Sequence, residues 1–335
     1  MTRVGFITNS FAQDGYVFGG GAEQHLYELI KYVNELGTKV VVYQPGTTER
    51  TWEINGIEIQ DIPCSFKQVW RKGLNRAVKD GCTHVHYNYL HYALPCKNMV
   101  ITATDHGVWW DIPYLPNAHR WYPYGKFARY YLPFWRKYAR YQTLRGLKNC
   151  QNVLAGDTTL LRIVQNYAPH LRDKIYPTQN FCNMPLEEQQ SSFPKELDYV
   201  KEMGKGKVII LVPRNLSLVR GGYWLGEIVK RVSTLTDRHC LFIVTGQYIN
   251  VSGRAKKYES AFHAGFDKEL SSSLLILGGT KHRDMRHLYH LSDIVLIPTF
   301  AAEGGSLSAI EGMTFGKAVV ATNIGGLNDV IDDGI

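Results

Sequence analysis

Two glutamates suggest the chemistry open to this 335-residue chain. Glu303 stands directly before Gly304 and Gly305, and Glu311 follows eight residues on, in a stretch that reads as a helix beginning near Ser306. The first turn of a helix has main-chain N–H groups without intrahelical partners and the positive end of its dipole. A strand, Gly-Gly turn and helix in series therefore form a site for a phosphate or sugar oxygen. Eight helical residues would set the two carboxylates roughly 12 Å apart along the axis. That reach suits a ligand with hydroxyls at both ends and phosphates between.

Further groups of the right type surround this motif. VPRNLSLVRGG, residues 212–222, offers Arg214 and Arg220 to an anion, with Arg220 the stronger candidate. FGGGAEQHL joins a first strand to a first helix through Gly19, Gly20 and Gly21, but Gln24 stands where a dinucleotide fingerprint needs its third glycine. In TATDHGVWWD, His106 follows a strand, the end at which open α/β sheets bind ligands, with Asp105 and Asp111 as further candidates for contacting an acceptor. His84 and His86 alternate on one strand without a third ligand at suitable spacing, so they read as sheet-face histidines and no metal site is expected. The six cysteines form no C-x-x-C pair, which argues against a zinc site or a disulfide framework and favours a reducing compartment.

The stretch from Pro298 to Gly326 resembles the signature of family 4 of the retaining glycosyltransferases, in which Glu, seven residues and Glu precede a glycine and Pro-Val-Val-Ala. Here Glu303, Glu311, Gly316 and the AVVAT run match it, with Ala318 in place of the usual proline. The resemblance implies that Glu303 contacts donor-sugar hydroxyls, that Glu311 holds the nucleotide ribose, and that Gly304, Gly305, Ser306 and Leu307 hold sugar and diphosphate through their amides. It puts Arg220 at the family's lysine place and Asn215 at its arginine place, with Arg214 one residue early. Gly20 and Gly21 resemble the family's amino-terminal loop near the donor phosphates, Gly246 its glycine after the donor lobe's second strand, and Asn180 its asparagine before the linker. His106 resembles its histidine at the reaction centre, so His106, Glu303 and Arg220 are the expected catalytic groups. Arg220 would stabilise the departing diphosphate as its charge grows. No protein nucleophile, divalent ion or cofactor is implied. The donor would be a UDP-, GDP- or ADP-linked sugar and the acceptor a glycan or lipid-linked hydroxyl, in cell-surface polysaccharide or glycoconjugate synthesis.

The elements that must position these groups fall into two α/β cycles. RVGFIT, TKVVVYQ, HVHYNY and MVITATDH read as strands of the first cycle, with a helix over AEQHLYELIKYVNELG. KVIILVPRN, CLFIVTG, LLILGGT, IVLIPT and AVVATN read as strands of the second, with helices over GGYWLGEIVKRVSTL, RDMRHLYHLSD and SAIEGMTFG. This is an α/β chain with parallel sheets. By resemblance it is the GT-B class, two Rossmann-like domains facing across a cleft. The expected division is an acceptor domain over 1–187, a polar linker over 188–206, and a nucleotide-sugar domain over 207–335. The family normally continues past this region, so a chain stopping at Ile335 is expected to be truncated.

Composition excludes other classes. The chain is 44% hydrophobic and 20% charged, without low-complexity tracts or solenoid repeats, so a folded enzyme or binding protein is expected. The start reads as a buried strand and not a signal peptide, and no apolar run spans a bilayer, which places the protein in the cytoplasm or at the inner membrane face. The net charge of +8 attracts anions. Residues 119–148 hold no Asp or Glu and interleave basic with aromatic side chains, which suits contact with an anionic membrane or equally a core helix with a solvated basic face. No nucleic-acid motif accompanies it. A sugar-nucleotide epimerase or hydrolase of the same fold, or a non-catalytic binding module, are the alternative functions; the oligomeric state is not legible.

Overall fold

The computed structural model describes the chain except residues 1, 14, 18–19, 109, 123–124, 183, 185–193, 247–258, 261, 263–271, 302 and 335. Two compact units divide it, one comprising Met1–Trp110 with Lys137–Gln179, the other Asp111–Arg136 with Asn180–Ile335.

The first unit is built on a sheet in which β1 (Arg3–Ile7), β4 (Lys39–Gly46), β7 (His84–Tyr87), β8 (Val100–Asp105), β9 (Asn152–Ala155) and β10 (Ile175–Pro177) run parallel with β6 (Ile57–Pro63). Only β5 (Arg50–Ile54) is antiparallel, paired to β6 at the edge. The order is β10-β9-β8-β7-β1-β4-β6-β5, and a short ladder of β2 (Ala12–Gln13) and β3 (Tyr16–Val17) stands apart. Strand β4 shows why both faces are covered. Its Val41 and Tyr43 join one apolar cluster while Val40 and Val42 join another, as a two-residue period requires. Helix α1 (Gly21–Glu35) covers the second face with Leu26 and Ile30. Helices α2 (Val69–Lys79) and α4 (Thr159–Tyr167) cover the first, through Val69, Trp70, Leu74, Leu160 and Val164. Between β8 and β9 runs α3 (Ala128–Asn149), whose Leu147 belongs to this core.

The second unit has a five-stranded parallel sheet, ordered β13-β12-β11-β14-β15: β11 (Val208–Val212), β12 (Cys240–Val244), β13 (Leu274–Ile276), β14 (Ile294–Ile297) and β15 (Ala318–Ala321). The same alternation recurs. Ile210, Val212, Phe242 and Val244 face α6 (Gly222–Leu235), whereas Ile209, Leu211, Leu241 and Ile243 share a cluster with α5 (Asp198–Gly204), α7 (His282–Leu291) and α8 (Leu307–Thr314). Helices on both faces of a parallel sheet make each unit a doubly wound α/β body.

Two expected boundaries differ from these units. The segment 111–136 lies in the sequence half assigned to the first domain, yet Trp121, Tyr122, Ala128 and Leu132 sit in the α6 cluster of the second unit. A built Cβ on Gly222 would lie 3.0 Å from the Trp121 ring, so that glycine lets the indole seat on α6. The expected linker over 188–206 is also only partly a linker. Residues 188–193 fall outside the described ones, but α5 carries a fully buried Val200, so 198–204 is part of the second unit's core. A polar composition hid one inward-facing side chain per helical turn.

Candidate functional site in the second unit

Loops at the carboxyl ends of β11, β12 and β14 converge beside the start of α8. Gly221, with φ of +88°, caps α6, and a built Cβ there would lie 2.2 Å from the Pro298 carbonyl oxygen. Gly246 follows β12, where a Cβ would lie 2.3 Å from the Arg214 carbonyl oxygen. Side chains at either position would hold the loops apart. Phe300 N–H donates to the Val219 carbonyl at 3.1 Å and Ser308 Oγ to the Pro213 carbonyl at 3.1 Å, which fastens the two loops together.

Glu303 is buried in this junction, 6% exposed, and its Oε2 accepts from both Arg214 and Arg220. Burial on its own would raise the carboxyl pKa; Arg214 and Arg220 outweigh it and hold Glu303 below its usual range, ionised at neutral pH. Arg214 is almost enclosed and also donates to Thr299 Oγ1 at 3.2 Å and Ser306 Oγ at 3.4 Å. Desolvation brings its pKa down to about 10 against the pull of Glu303, leaving it a cation at neutral pH. Its Nε has no partner among the described residues. One carboxylate between two guanidiniums leaves the cluster with net positive charge.

The helix that follows begins where expected, but only part of the interval between the two glutamates is helical. Only Leu307–Thr314 is helical, with Ser306 as an N-cap in extended conformation, so Glu303 lies on the loop and Glu311 in the second turn. The first bonds of α8 are those of Ala309 and Ile310 N–H to the Ser306 carbonyl, both 3.1 Å. Among the described residues nothing accepts from the amides of Gly304, Gly305, Ser306 or Leu307, the donors expected at an anion site. Asn180 Nδ2 donates to the Gly305 carbonyl and Gly326 N–H to the Glu303 carbonyl at 3.1 Å, fixing the turn. Glu311, also 6% exposed, accepts from Tyr289 Oη at 2.6 Å and pairs with His282 Nε2 at 3.2 Å, both from α7. Burial, reinforced by Glu311, raises the Tyr289 phenol well above its ordinary value, so it stays a donor.

The second unit thus brings together Arg214, Arg220, Gly246, Glu303, Gly304, Gly305, Ser306, Leu307 and Glu311. Asn215, expected at the cationic place, is exposed, and it is Arg214 that reaches Glu303, so the guanidinium comes from the residue before. Thr299, His282 and Tyr289 went unread in sequence because each contributes one polar atom from a separate element.

The first unit holds the other expected residues. Gly20 caps α1 and Gly21 opens it; the Glu23 carboxylate folds back to within 2.2 Å of a built Gly20 Cβ and accepts from Ser10 Oγ at 2.7 Å. His106 follows β8, its Nε2 2.9 Å from Asn88 Oδ1. The tautomer follows from the donors behind it. Thr8 Oγ1 spends its one proton on the Ser10 carbonyl and accepts from Asn88 Nδ2 at 3.1 Å, so Asn88 Oδ1 is an acceptor and His106 Nε2 carries the hydrogen. Burial lowers His106 to about 3, with His25 and His86 adding to the effect, so a neutral ring keeps Nδ1 as an acceptor. Asp105 is enclosed; burial, and then Asp157, raises its carboxyl well above the usual range, unlike an open acceptor contact. Asp111 is exposed in the second unit. His86 bonds Thr102 and Thr104, each at 2.9 Å, as a sheet-face histidine does. Among the described residues no three His, Cys, Asp or Glu side chains are placed to hold a metal.

Comparison with known proteins identifies the fold. The solved HepE of Anabaena in complex with UDP-glucose superposes with a TM-score of 0.68 over 100% of this chain and 84% of its own, at 14% identity. WaaG, described as a glycosyltransferase involved in lipopolysaccharide biosynthesis, gives 0.64 over 96% and 82%, at 13% identity. This is the GT-B fold. Within the GT-B chain, residues 206–335 match the family described as glycosyl transferases group 1. A curated relative, the lipopolysaccharide 1,2-N-acetylglucosaminetransferase of Salmonella typhimurium, is 28% identical over 127 residues, 38% of this chain and 33% of that protein. The match therefore spans about a third of that relative's length.

Proposed function

We propose that this chain is a retaining glycosyltransferase of family 4 that moves a sugar from a UDP-linked donor to a hydroxyl of a lipopolysaccharide or related surface glycan. The observation that carries the reading is the Arg214–Glu303–Arg220 cluster beside the open amides of residues 304–307, two cations and four donors where a diphosphate would lie. The group 1 match over 206–335 covers that same segment, and the UDP-glucose of HepE and the N-acetylglucosamine of the Salmonella relative support a donor of the glucose series.

In this reading the diphosphate takes Arg220 and the turn amides, and Glu303, released in part from Arg220, turns an oxygen to the donor-sugar hydroxyls. Glu311, held by Tyr289 and His282, receives the ribose hydroxyls. The acceptor hydroxyl attacks the anomeric carbon as its bond to the diphosphate breaks, and the hydroxyl proton passes to the leaving phosphate oxygen. Arg220 and the amides stabilise the charge that grows there, without a metal ion. His106 of the first unit, neutral and accepting through Nδ1, is the further catalytic group that the resemblance implies. The place of work is the cytoplasm or the inner membrane face.

The test is transfer of label from UDP-glucose and UDP-N-acetylglucosamine to deacylated lipopolysaccharide cores, with the product's anomeric configuration read by NMR. Label on the acceptor with the donor's configuration is expected, and Arg220→Ala lowers the rate by about 10²-fold or more. Inverted product overturns retention. Release of free sugar with no glycoside, or a donor epimer, overturns transfer altogether.

A further inference from the structure

The exposed large side chains of this chain are not scattered evenly. Phe127, Tyr130, Phe134, Tyr138 and Tyr141 all stand open to solvent, Phe134 77% and Phe127 72% exposed. They lie in and just before α3 at intervals of three and four residues, so they form one stripe along a helix. Lys126, Lys137, Arg145 and Lys148 are exposed and fall on the same helical face by their spacing, Arg129 is exposed beside Tyr130, and no carboxylate occurs from 119 to 148. The opposite side of α3 is the packed one: Ala128, Leu132, Ala139 and Leu147 are buried. An ordinary surface helix puts its aromatics inward and mixes charge outward. Here the outward stripe is apolar and single-signed.

We infer that the outward stripe of α3 lies on an anionic lipid bilayer. Three features select that occupant. The tyrosine rings are amphipathic bodies suited to headgroup depth and the two phenylalanines are apolar, the flanking cations meet lipid phosphates, and a stripe over residues 126–148 is roughly 35 Å long, the geometry of a helix lying in the interface plane. The helix has no stretch apolar enough to cross a membrane. Residues that the composition of 119–148 alone would include are excluded by the fold: Trp121 and Tyr122 are buried and Tyr131 and Trp135 pack against the α6 cluster, so the lipid contact excludes them. Arg129 stacks on Tyr130 at 4.4 Å, keeping an aromatic and a cation side by side on the stripe. The inference stands apart from the transfer reaction, since any activity could be carried to a membrane this way.

The experiment is co-flotation of the full chain with vesicles of phosphatidylglycerol and phosphatidylcholine mixed 1:1, against pure phosphatidylcholine, with Phe134→Ser/Tyr138→Ser and Lys137→Glu/Arg145→Glu variants. These four side chains are exposed, and an unchanged thermal unfolding midpoint confirms each variant is folded. Wild type is expected to float with the anionic vesicles and to stay behind with phosphatidylcholine, and each variant to partition about tenfold less. Wild type that stays behind with both, equal flotation with both, or an aromatic variant that floats as well as wild type overturns the inference. So does an anionic-vesicle interaction displaced fully by duplex RNA while the aromatic variant retains it, since that marks a polyanion site.

Discussion

Remove the Glu303 carboxylate and two guanidiniums lose their shared counter-ion, one of them nearly enclosed. Glu303→Ala is therefore expected to cost the second unit about 3 kcal/mol in urea unfolding, because a buried cation is left unpaired. Glu303→Gln keeps one acceptor and costs less, while losing most transfer. An equal stability for wild type and Glu303→Ala contradicts the buried triad. Asn88 makes a sharper case for the first unit. Asn88→Asp puts a carboxylate against His106 Nε2–H, which favours the imidazolium and raises the His106 pKa from about 3; NMR titration of the ring reads it, and no upward movement refutes the assigned contact. At this scale spacing revealed much. The interval brings Glu303 and Glu311 forward as candidates and the following glycine brings forward Arg220, and the structure buries both glutamates and pairs Arg220 with Glu303. Asn88, Thr299, His282 and Tyr289 could not be found this way, because their partners are remote in sequence and a lone polar residue carries no periodic signal.

Elements place those side chains, and glycines decide how closely the elements approach. Gly221→Ala must adopt a left-handed backbone and push into the Pro298 carbonyl, so a loss of about 2 kcal/mol or more is expected by denaturant unfolding. Little change there would mean that the β11 and β14 loops do not pack as described. Most strands were legible from continuous apolar runs, which is how parallel strands covered on both faces must read. The β5–β6 hairpin is not among the strands expected from those runs, although Asn55 and Gly56, both at positive φ, carry the strongest short-range hairpin signal. The inward side of α3 was obscured differently. Its exposed side carries Tyr130, Phe134, Tyr138 and Tyr141 against Ala128, Leu132, Ala139 and Leu147 on its buried side, so hydrophobic periodicity cancels.

On the scale of the whole chain, composition and two α/β cycles sufficed for the fold class, whereas unit membership did not follow chain order. Segment 111–136 sits in the second unit because Trp121 and Leu132 fill space on α6, a fact of shape that no linear reading contains. Acid stability is the property that belongs to a whole unit. His86 titrates at about 3 and His91 at about 4 in the folded protein, each driven by burial, against 6.5 for a free imidazole. The unfolded chain takes these protons first. Stability is thus fully present above about pH 6.5 and is lost as pH falls toward 3, by up to about 1.4 kcal/mol per unit for each histidine. His86→Gln should flatten that slope by about one proton between pH 6 and 4; an unaltered slope removes His86 from the account.

The claim beneath the rest is that the turn and first amides of α8, with Arg214 and Arg220, receive a nucleotide diphosphate. Calorimetric titration of the full chain with UDP measures this without any acceptor. One site per chain is predicted, weakened about tenfold or more in Arg220→Ala and unaffected in Phe134→Ser/Tyr138→Ser. Absence of binding by UDP, GDP and ADP alike, or equal affinity in the Arg220→Ala protein, would contradict it.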